Sequence, residues 1–150
     1  MKKQNNNNMK TVTSISGGQS SAYIAALYPS DSLVFSLVRT SDERVRFKDK
    51  GIAKIFKWWR EKFDNPVLMN LGFGANEKRR ADAMVAKLNK NGLSEFKDTN
   101  SKHPDGRNKW ETIEWRKPKF PLIDDFVYKE DIVNFWKNKP VRFAKYNNCV

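Results

Sequence analysis

The pattern of apolar and polar residues along the chain predicts strands and helices in alternation. Residues 11–15 (TVTSI) are rich in β-branched residues, which favour a short strand. Residues 21–28 (SAYIAALY) carry helix formers and stop before Pro29. Residues 32–40 (SLVFSLVRT) are almost continuously apolar, as is typical of a strand covered on both faces. The first forty residues therefore predict a β-α-β unit whose first connection is the loop SGGQS.

The middle of the chain continues this alternation. Residues 48–63 predict an amphipathic helix, residues 65–72 a buried strand, and residues 74–92 a second amphipathic helix. The apolar positions are Ile52, Ile55, Phe56, Trp59 and Phe63 in the first helix and Ala81, Met84, Val85 and Leu88 in the second, which we expect to stop at Gly92. Strands alternating with helices predict an α/β domain with a mostly parallel sheet flanked by helices.

The C-terminal third has a less regular pattern. From about residue 93 the chain is polar and rich in turn residues up to residue 110, which predicts a surface excursion. Residues 110–118 (WETIEWRKP) predict a strand with alternating faces, and residues 129–139 a short helix that ends before Pro140.

Length and composition limit the domain organisation. A chain of 150 residues fits a single domain, which we place at residues 10–150. Residues 1–9 are dominated by an asparagine run and predict a disordered tail. Because no apolar segment follows the first lysines and no run could span a bilayer, we expect a cytoplasmic protein without a membrane partner.

Charge and the scarcity of metal-binding residues narrow the classes of ligand. The formal net charge of +12 favours anionic partners such as nucleotides or nucleic acid, and simple solubility explains the same excess. Cys149 and His103 are the only residues of their types, so an internal disulfide, a four-thiolate iron–sulfur cluster and a histidine metal cluster are excluded. His103 lies in a polar loop, which is typical of a surface histidine rather than of a general base.

The loop between the first strand and the first helix is the strongest candidate for chemistry. Gly17 and Gly18 allow the backbone to bend closely around a ligand, and the N–H groups that begin a helix suit phosphate. Hydroxyl groups of Ser16, Ser20 and Ser21 could add hydrogen bonds, and we expect Ser20 or Ser21 to cap the helix. A tight turn with a helix cap and no ligand explains the same residues. The loop is neither a Walker A loop nor a GxGxxG dinucleotide fingerprint.

The segment TSISGGQSSA resembles the SGGxxS loop of the PP-loop superfamily, which contains the ATP pyrophosphatases (adenine nucleotide alpha hydrolases) and the phosphoadenosine phosphosulfate reductases. It is most similar to the reductase-like proteins of bacteria and their phages. The resemblance implies a Rossmann-like fold and an adenine nucleotide, ATP or phosphoadenosine phosphosulfate, with Mg²⁺ as a further cofactor. It also implies the cytoplasm of a bacterial or phage-infected cell, and a partner chain or second copy that completes the site. The implied phosphate ligands are Ser16, Gly17, Gly18, Gln19, Ser20 and Ser21.

Two further segments extend the resemblance. NLGFGANEKRRA (70–81) is similar to a later strand-to-helix segment of the family, which implies phosphate contacts by Arg79 and Arg80 and nucleotide contacts by Gly72 and Glu77. A solvated helix face explains the arginine pair equally simply. The end of the second strand would place Arg39 and Thr40 near ribose or adenine, with a capped turn as the alternative.

The C-terminal segment KPVRFAKYNNCV resembles the family's cysteine-bearing segment and makes Cys149 a candidate nucleophile for reductase-like chemistry. An ordinary terminal thiol is the alternative.

The chain departs from the family at two positions of the loop. Gln19 and Ser20 stand where the enzymes often carry lysine and aspartate, which removes one cation and one carboxylate. The alternative function is therefore that of a shortened, non-catalytic member that binds nucleic acid or protein through its basic surface. Aromatic residues interleaved with basic ones in the C-terminal third could stack bases or close a core: Trp110, Trp115, Phe120, Trp136 and Phe143.

Overall fold

Five strands form one sheet in the computed structural model, which describes residues 9–35, 58–63 and 66–143. The strands are β1 (Thr11–Ile15), β2 (Ser32–Phe35), β3 (Val67–Asn70), β4 (Ser94–Lys102) and β5 (Asn108–Lys119), in the sheet order β2-β1-β3-β5-β4. Strand β1 pairs in parallel with β2 and β3, β3 pairs in parallel with β5, and β4 is antiparallel to β5. The predicted α/β domain with a mostly parallel sheet is confirmed.

Helices flank this sheet. They are α1 (Gln19–Leu27), the helical residues 58–62 (α2), a 3₁₀ turn (Ala75–Glu77) that leads into α3 (Lys78–Val85), the short α4 (Pro121–Asp124) and α5 (Lys129–Lys137). The helices predicted near residues 21–28 and 129–139 are confirmed. Among the described residues, no helix combines the length and the apolar character that crossing a membrane requires.

Helix α3 is shorter than the predicted segment 74–92. Asn89 explains the early end, because its side-chain oxygen accepts hydrogen bonds from the backbone N–H groups of Asn91 (2.9 Å) and Leu93 (3.0 Å). These bonds organise a turn in place of further helix. Val85, which was expected on the apolar face, is exposed, whereas Ala81 is buried.

The core consists of two clusters of buried side chains. The first joins the sheet to α2 and contains Val12, Trp59, Val67, Met69 and Leu71, with Phe63 packed against it. The second joins α1, α4 and α5 through Ile24, Leu122 and Ile132. The aromatic core face predicted for residues 48–63 is thus confirmed at Trp59 and Phe63, while Ile52, Ile55 and Phe56 lie outside the described residues.

Tyr28, at the end of α1, forms a side-chain hydrogen bond within the helical layer. Its hydroxyl donates to Asp125 Oδ2 at 2.6 Å, beyond the end of α4. Burial, followed by this bond, raises the pKa of Tyr28 above its ordinary value. The hydroxyl therefore stays protonated and keeps donating at neutral pH.

Two predictions about the strands are wrong. Leu33 and Phe35 are 55% and 53% exposed, so the described part of β2 is covered on one face only, as suits its place at the edge of the described sheet. Residues 93–110 were expected to be a polar, turn-rich surface excursion with no strand before residue 110, yet β4 and β5 form a long antiparallel hairpin there. Its polar residues are compatible with a strand because pairing satisfies the backbone and one face can remain in water.

Candidate functional site

The candidate site lies at the carboxyl ends of β1 and β3. These strands are neighbours, but the chain reaches β2, on the other side of β1, before it returns to β3. The connections that leave β1 and β2 therefore run in opposite directions along the sheet. Such a switch point opens a crevice at the carboxyl ends of the strands, where α/β sheets bind their ligands.

The connection from β1 into α1 is shaped by two glycines and Ser21. Gly17 has a φ of +81°, which an L side chain would disfavour, and Gly18 is the N-cap residue with φ −88° and ψ 163°. The Ser21 hydroxyl donates to Gly18 O at 3.1 Å and accepts from the Ser16 N–H at 3.2 Å. It also lies 3.3 Å from the Ser16 hydroxyl. Ser21 therefore fixes the loop from inside the helix.

The expected side-chain cap by Ser20 or Ser21 is wrong. The helix begins at Gln19, so Ser20 and Ser21 lie within its first turn, and the N-cap position belongs to Gly18, which has no side chain to offer. Within the described residues, the N–H groups of Gln19, Ser20 and Ser21 have no hydrogen-bond acceptor. Three donors without an acceptor and the positive end of the helix dipole therefore lie together in residues that line the crevice.

The start of α1 is held from both sides. Trp136 of α5 donates its indole N–H to Gln19 O at 3.1 Å, which anchors the first turn to the helical layer. On the other side Gly72 approaches so closely that a Cβ there would lie 2.9 Å from Ser21 N and 3.1 Å from Ser21 Cα. Only glycine allows β3 to end this near to the helix, so Gly72 builds the wall of the crevice.

In the connection from β3 into α3, the N–H groups of Gly74, Ala75 and Glu77 have acceptors. The Gly74 N–H donates to Glu77 Oε2 at 3.1 Å, and the Ala75 N–H donates to Val127 O at 2.8 Å. Glu77 also forms an ion pair with Arg80, whose guanidinium carbon lies 4.7 Å from the centre of the Phe73 ring. Glu77 and Arg80 therefore form a mutually bound pair beside the crevice.

The crevice is a cavity of about 410 Å³, and the structure brings eight of the predicted site residues to it. They are Ser16, Gly18, Gln19, Ser20, Ser21, Gly72, Glu77 and Arg80. Ser14, Leu71 and Phe73 also line it and were not predicted. Only their positions in the sequence could have identified them. Ser14 lies on β1, two residues before Ser16, and Leu71 and Phe73 flank Gly72 after β3.

A buried polar pair behind the cavity was missed as well. Asn70 is paired in register with Thr13, and its side-chain N–H₂ donates to the Thr13 hydroxyl at 3.3 Å. Both side chains are buried. The pair links β1, two residues before its end, to the last residue of β3, so it supports the two strand ends that form the crevice.

Two of the described residues that were predicted for the site are not in the cavity lining. Gly17 lies in the loop but does not line the cavity, and Arg79 is exposed on α3 and also lies outside the lining. Arg39, Thr40 and Cys149 lie outside the described residues, so their predicted roles stay predictions.

The aromatic residues of the C-terminal third mostly close the core. Trp115 packs edge-on against Trp59, Phe120 stacks on Phe73, and Phe143 packs against Trp136. Trp110, on β5, is 61% exposed. Only Trp110 of the five keeps a ring face that is largely open to a partner.

No family model, curated protein or solved structure matches the chain. The ligand class of the site is therefore inferred from its geometry. The first turn of α1, with its backbone donors, lines a cavity at a switch point of the sheet. That arrangement suits a small anionic ligand, and the volume lies within the range of about 300–1,000 Å³ that is usual for small-molecule sites.

Proposed function

We propose that the protein binds an adenine nucleotide, ATP or phosphoadenosine phosphosulfate, with its phosphates at the first turn of α1. The observation that carries this proposal is the set of three N–H groups, those of Gln19, Ser20 and Ser21, which have no acceptor in the described part of the chain and open onto the cavity. A phosphate would accept from these donors and meet the positive end of the helix dipole. The fold we propose is accordingly the Rossmann-like one of the PP-loop superfamily.

The adenine nucleotide is chosen for two reasons. The SGGQSS loop resembles that of the PP-loop proteins, and the cavity has an aromatic wall in Phe73, which stacks on Phe120 with ring centres 5.6 Å apart. An apolar wall beside backbone donors suits a ligand with both a base and phosphates. Contacts of Arg39 and Thr40 with ribose or adenine remain part of the proposal.

Mg²⁺ would reach the site with the nucleotide rather than through a dedicated set of protein ligands. Glu77 is the carboxylate among the described lining residues, and its two oxygens are already engaged by the Gly74 N–H and by Arg80. Phosphate oxygens and water would therefore supply most of the coordination, as is usual for Mg²⁺ bound to nucleotides.

We propose binding without assigning turnover. Gln19 and Ser20 both line the cavity but contribute no charge, whereas the enzymes that the loop resembles often carry lysine and aspartate there. Charge stabilisation at the reacting phosphate or sulfate would then fall to backbone donors and Arg80. Turnover is tested by assays for reductase-like activity, in which Cys149 would be the nucleophile, and for pyrophosphatase-like activity.

Calorimetric titration of ATP and phosphoadenosine phosphosulfate, with and without Mg²⁺, tests the proposal. We expect saturable binding of at least one nucleotide by the wild type. Gly18→Asp should weaken it about 30-fold or more, since a carboxylate a few ångströms from the phosphate costs about 2 kcal/mol. The same carboxylate would cap α1, so thermal stability should hold or rise slightly.

Gly18→Asn is the matched control, because asparagine caps the helix in the same way without adding a charge. Its affinity loss should be at most about fivefold, corresponding to about 1 kcal/mol for one donor withdrawn. The proposal is wrong if the wild type binds neither nucleotide, or if Gly18→Asp binds as tightly as the wild type while remaining folded.

The exposed Trp110 favours a second candidate, binding of single-stranded nucleic acid by the β4–β5 hairpin. Lys102, Arg107 and Lys109 lie close to it along the hairpin, and an exposed aromatic ring beside cations can stack a base. This candidate predicts salt-sensitive binding to a single-stranded oligonucleotide that Trp110→Ala abolishes and Gly18→Asp leaves unchanged.

A further inference from the structure

A second cavity lies between α3 and the β4–β5 hairpin and adjoins the first. Its volume is about 530 Å³, and it shares Phe73 and Arg80 with the nucleotide cavity. Trp115 and Arg116 of β5, together with Lys87 just after α3, line it further in. No predicted role in the sequence involves Lys87 or Arg116.

Arg116 is the unusual group in this cavity. Its guanidinium carbon lies 4.3 Å from the centre of the Trp115 ring, and Nη1 approaches the sulfur of Met69 at 3.2 Å. Nε is buried and has no hydrogen-bond acceptor, and no carboxylate pairs with Arg116 within the part of the chain that the structure describes. Burial lowers the pKa of this guanidinium, which still remains charged at neutral pH. A half-buried cation is thus held in place without a counter-ion.

The other charges around the cavity favour an anion. Among the described lining residues, Lys87 and Arg116 contribute two cations that pair with no described carboxylate, Arg80 contributes a third that is paired with Glu77, and Glu95 contributes a carboxylate. Glu95 accepts a hydrogen bond from the Asn89 side chain at 2.6 Å rather than pairing with Arg116. A cation stacked on an aromatic ring presents its remaining N–H groups in one plane, the geometry in which guanidinium binds the two oxygens of an oxyanion.

We propose that this cavity binds an oxyanion, the phosphate, sulfate or carboxylate group of a small molecule, with Arg116 as its main ligand and Lys87 as a second cation. Trp115 and Phe73 supply the apolar wall for the rest of that molecule. The oxyanion comes either from the far end of a nucleotide that enters through the shared edge at Phe73 and Arg80, or from a separate molecule. The proposal does not depend on the nucleotide site, because Arg116 and Lys87 line the second cavity alone.

The side-chain Nε–Hε signals of ¹⁵N-labelled arginine report on Arg116 directly. Sodium sulfate and sodium phosphate are titrated separately, with sodium chloride adjusted to hold the ionic strength constant. The titrations are run in the Gly18→Asp protein, whose nucleotide site is expected to bind anions more weakly than that of the wild type. We expect a saturable shift of the Arg116 signal with at least one of the two oxyanions, and no comparable shift with chloride.

Lys87→Met and Lys90→Met form a matched pair for the same titration. Both remove one lysine charge from the turn after α3, but only Lys87 lines the cavity. We expect at least a threefold weaker oxyanion affinity for Lys87→Met and an unchanged affinity for Lys90→Met. An Arg116 signal that moves no more with sulfate and phosphate than with chloride overturns the proposal, as does equal binding by the two lysine variants.

A last titration with ATP identifies the source of the oxyanion. If the far end of a nucleotide supplies it, ATP shifts the Arg116 signal in the wild type and not in Gly18→Asp. If a separate molecule supplies it, ATP leaves the signal in place while sulfate or phosphate moves it in both proteins. The second result supports the oxyanion site even where calorimetry shows no nucleotide binding, so the two proposals can fail independently.

Discussion

The chain leaves β1 and β3 through two glycine turns that look alike in sequence but differ in how their donors are used. In the first, Gly17 and Gly18 lead into α1, and the N–H groups of its first turn have no acceptor in the described structure. In the second, Gly74 leads into the 3₁₀ turn before α3, and the N–H groups of Gly74, Ala75 and Glu77 donate to Glu77 Oε2, Val127 O and Gly74 O. The two turns are therefore alike in glycine content but differ in the N–H groups that they leave without an acceptor in the described structure.

The two turns are also mechanically linked. Gly72, at the end of β3, approaches the backbone of Ser21 so closely that no side chain would fit between them. The turn after β3 therefore forms a wall of the cavity beside the turn after β1, and Glu77 and Arg80 close the side of that cavity. We expect substitutions in the second turn to affect the ligand through the shape and charge of that wall.

Among substitutions in and beside the second turn, the largest effect should come from Gly72→Ala. The added methyl group meets backbone atoms of α1 that cannot rotate away, so β3 and α1 must separate. We expect a loss of about 1–3 kcal/mol in the free energy of unfolding, as for other overpacked sites, and at least a tenfold loss of nucleotide affinity.

Gly74→Ala is the control for that variant. Its methyl group would meet mainly the side-chain oxygen of Asn76, at 2.8 Å, and that side chain can turn away. Urea denaturation should therefore show a smaller loss of stability for Gly74→Ala than for Gly72→Ala, and calorimetry a smaller loss of nucleotide affinity. Equal effects on stability and affinity would contradict the role given to the contact between Gly72 and Ser21.

A smaller effect should distinguish the two neighbouring arginines of α3. Arg80 lines the cavity and Arg79 does not, although the resemblance to the PP-loop proteins implied both. We expect Arg80→Gln to weaken nucleotide binding about fivefold, the scale of one charge-assisted contact at an exposed site. Arg79→Gln, with the same change in charge, should alter it less than twofold. An equal loss in both variants would indicate a general electrostatic effect.

The smallest effect, and one of opposite sign, is expected for Glu77→Gln. Glutamine can still accept from the Gly74 N–H, but it releases Arg80 and removes a negative charge from the cavity lining. Nucleotide affinity should rise about two- to threefold, and stability should fall by less than about 1 kcal/mol, the usual worth of an exposed ion pair. A fall in affinity would show instead that Glu77 contacts the nucleotide itself.

Local sequence patterns predicted much of the fold and most of the cavity lining. Strand β1 has the predicted bounds because its β-branched residues favour extended backbone locally, and the glycine loop follows because a parallel strand needs a connection at that end. Eight predicted residues meet at one cavity for the same reason, since carboxyl ends of neighbouring parallel strands share one edge.

What could not be predicted depends on contacts between distant segments. Nothing in residues 92–110 shows that β4 and β5 pair, because the pairing is decided by backbone bonds and by Phe96 packing beside Trp115. Ser21 was expected to cap α1, but its hydroxyl bonds back to the loop. Arg116 looks like any surface cation in sequence, and only the fold buries its Nε without an acceptor.

Backbone amide spectra of the ¹⁵N-labelled wild type, titrated with ATP and with phosphoadenosine phosphosulfate, test the comparison between the two turns most directly. We predict that the signals of Gln19, Ser20 and Ser21 shift saturably as their N–H groups gain phosphate acceptors. The signals of Ala75 and Glu77, whose N–H groups are already bonded, should move much less. Saturable binding that shifts Ala75 and Glu77 while leaving Gln19, Ser20 and Ser21 in place would contradict the account.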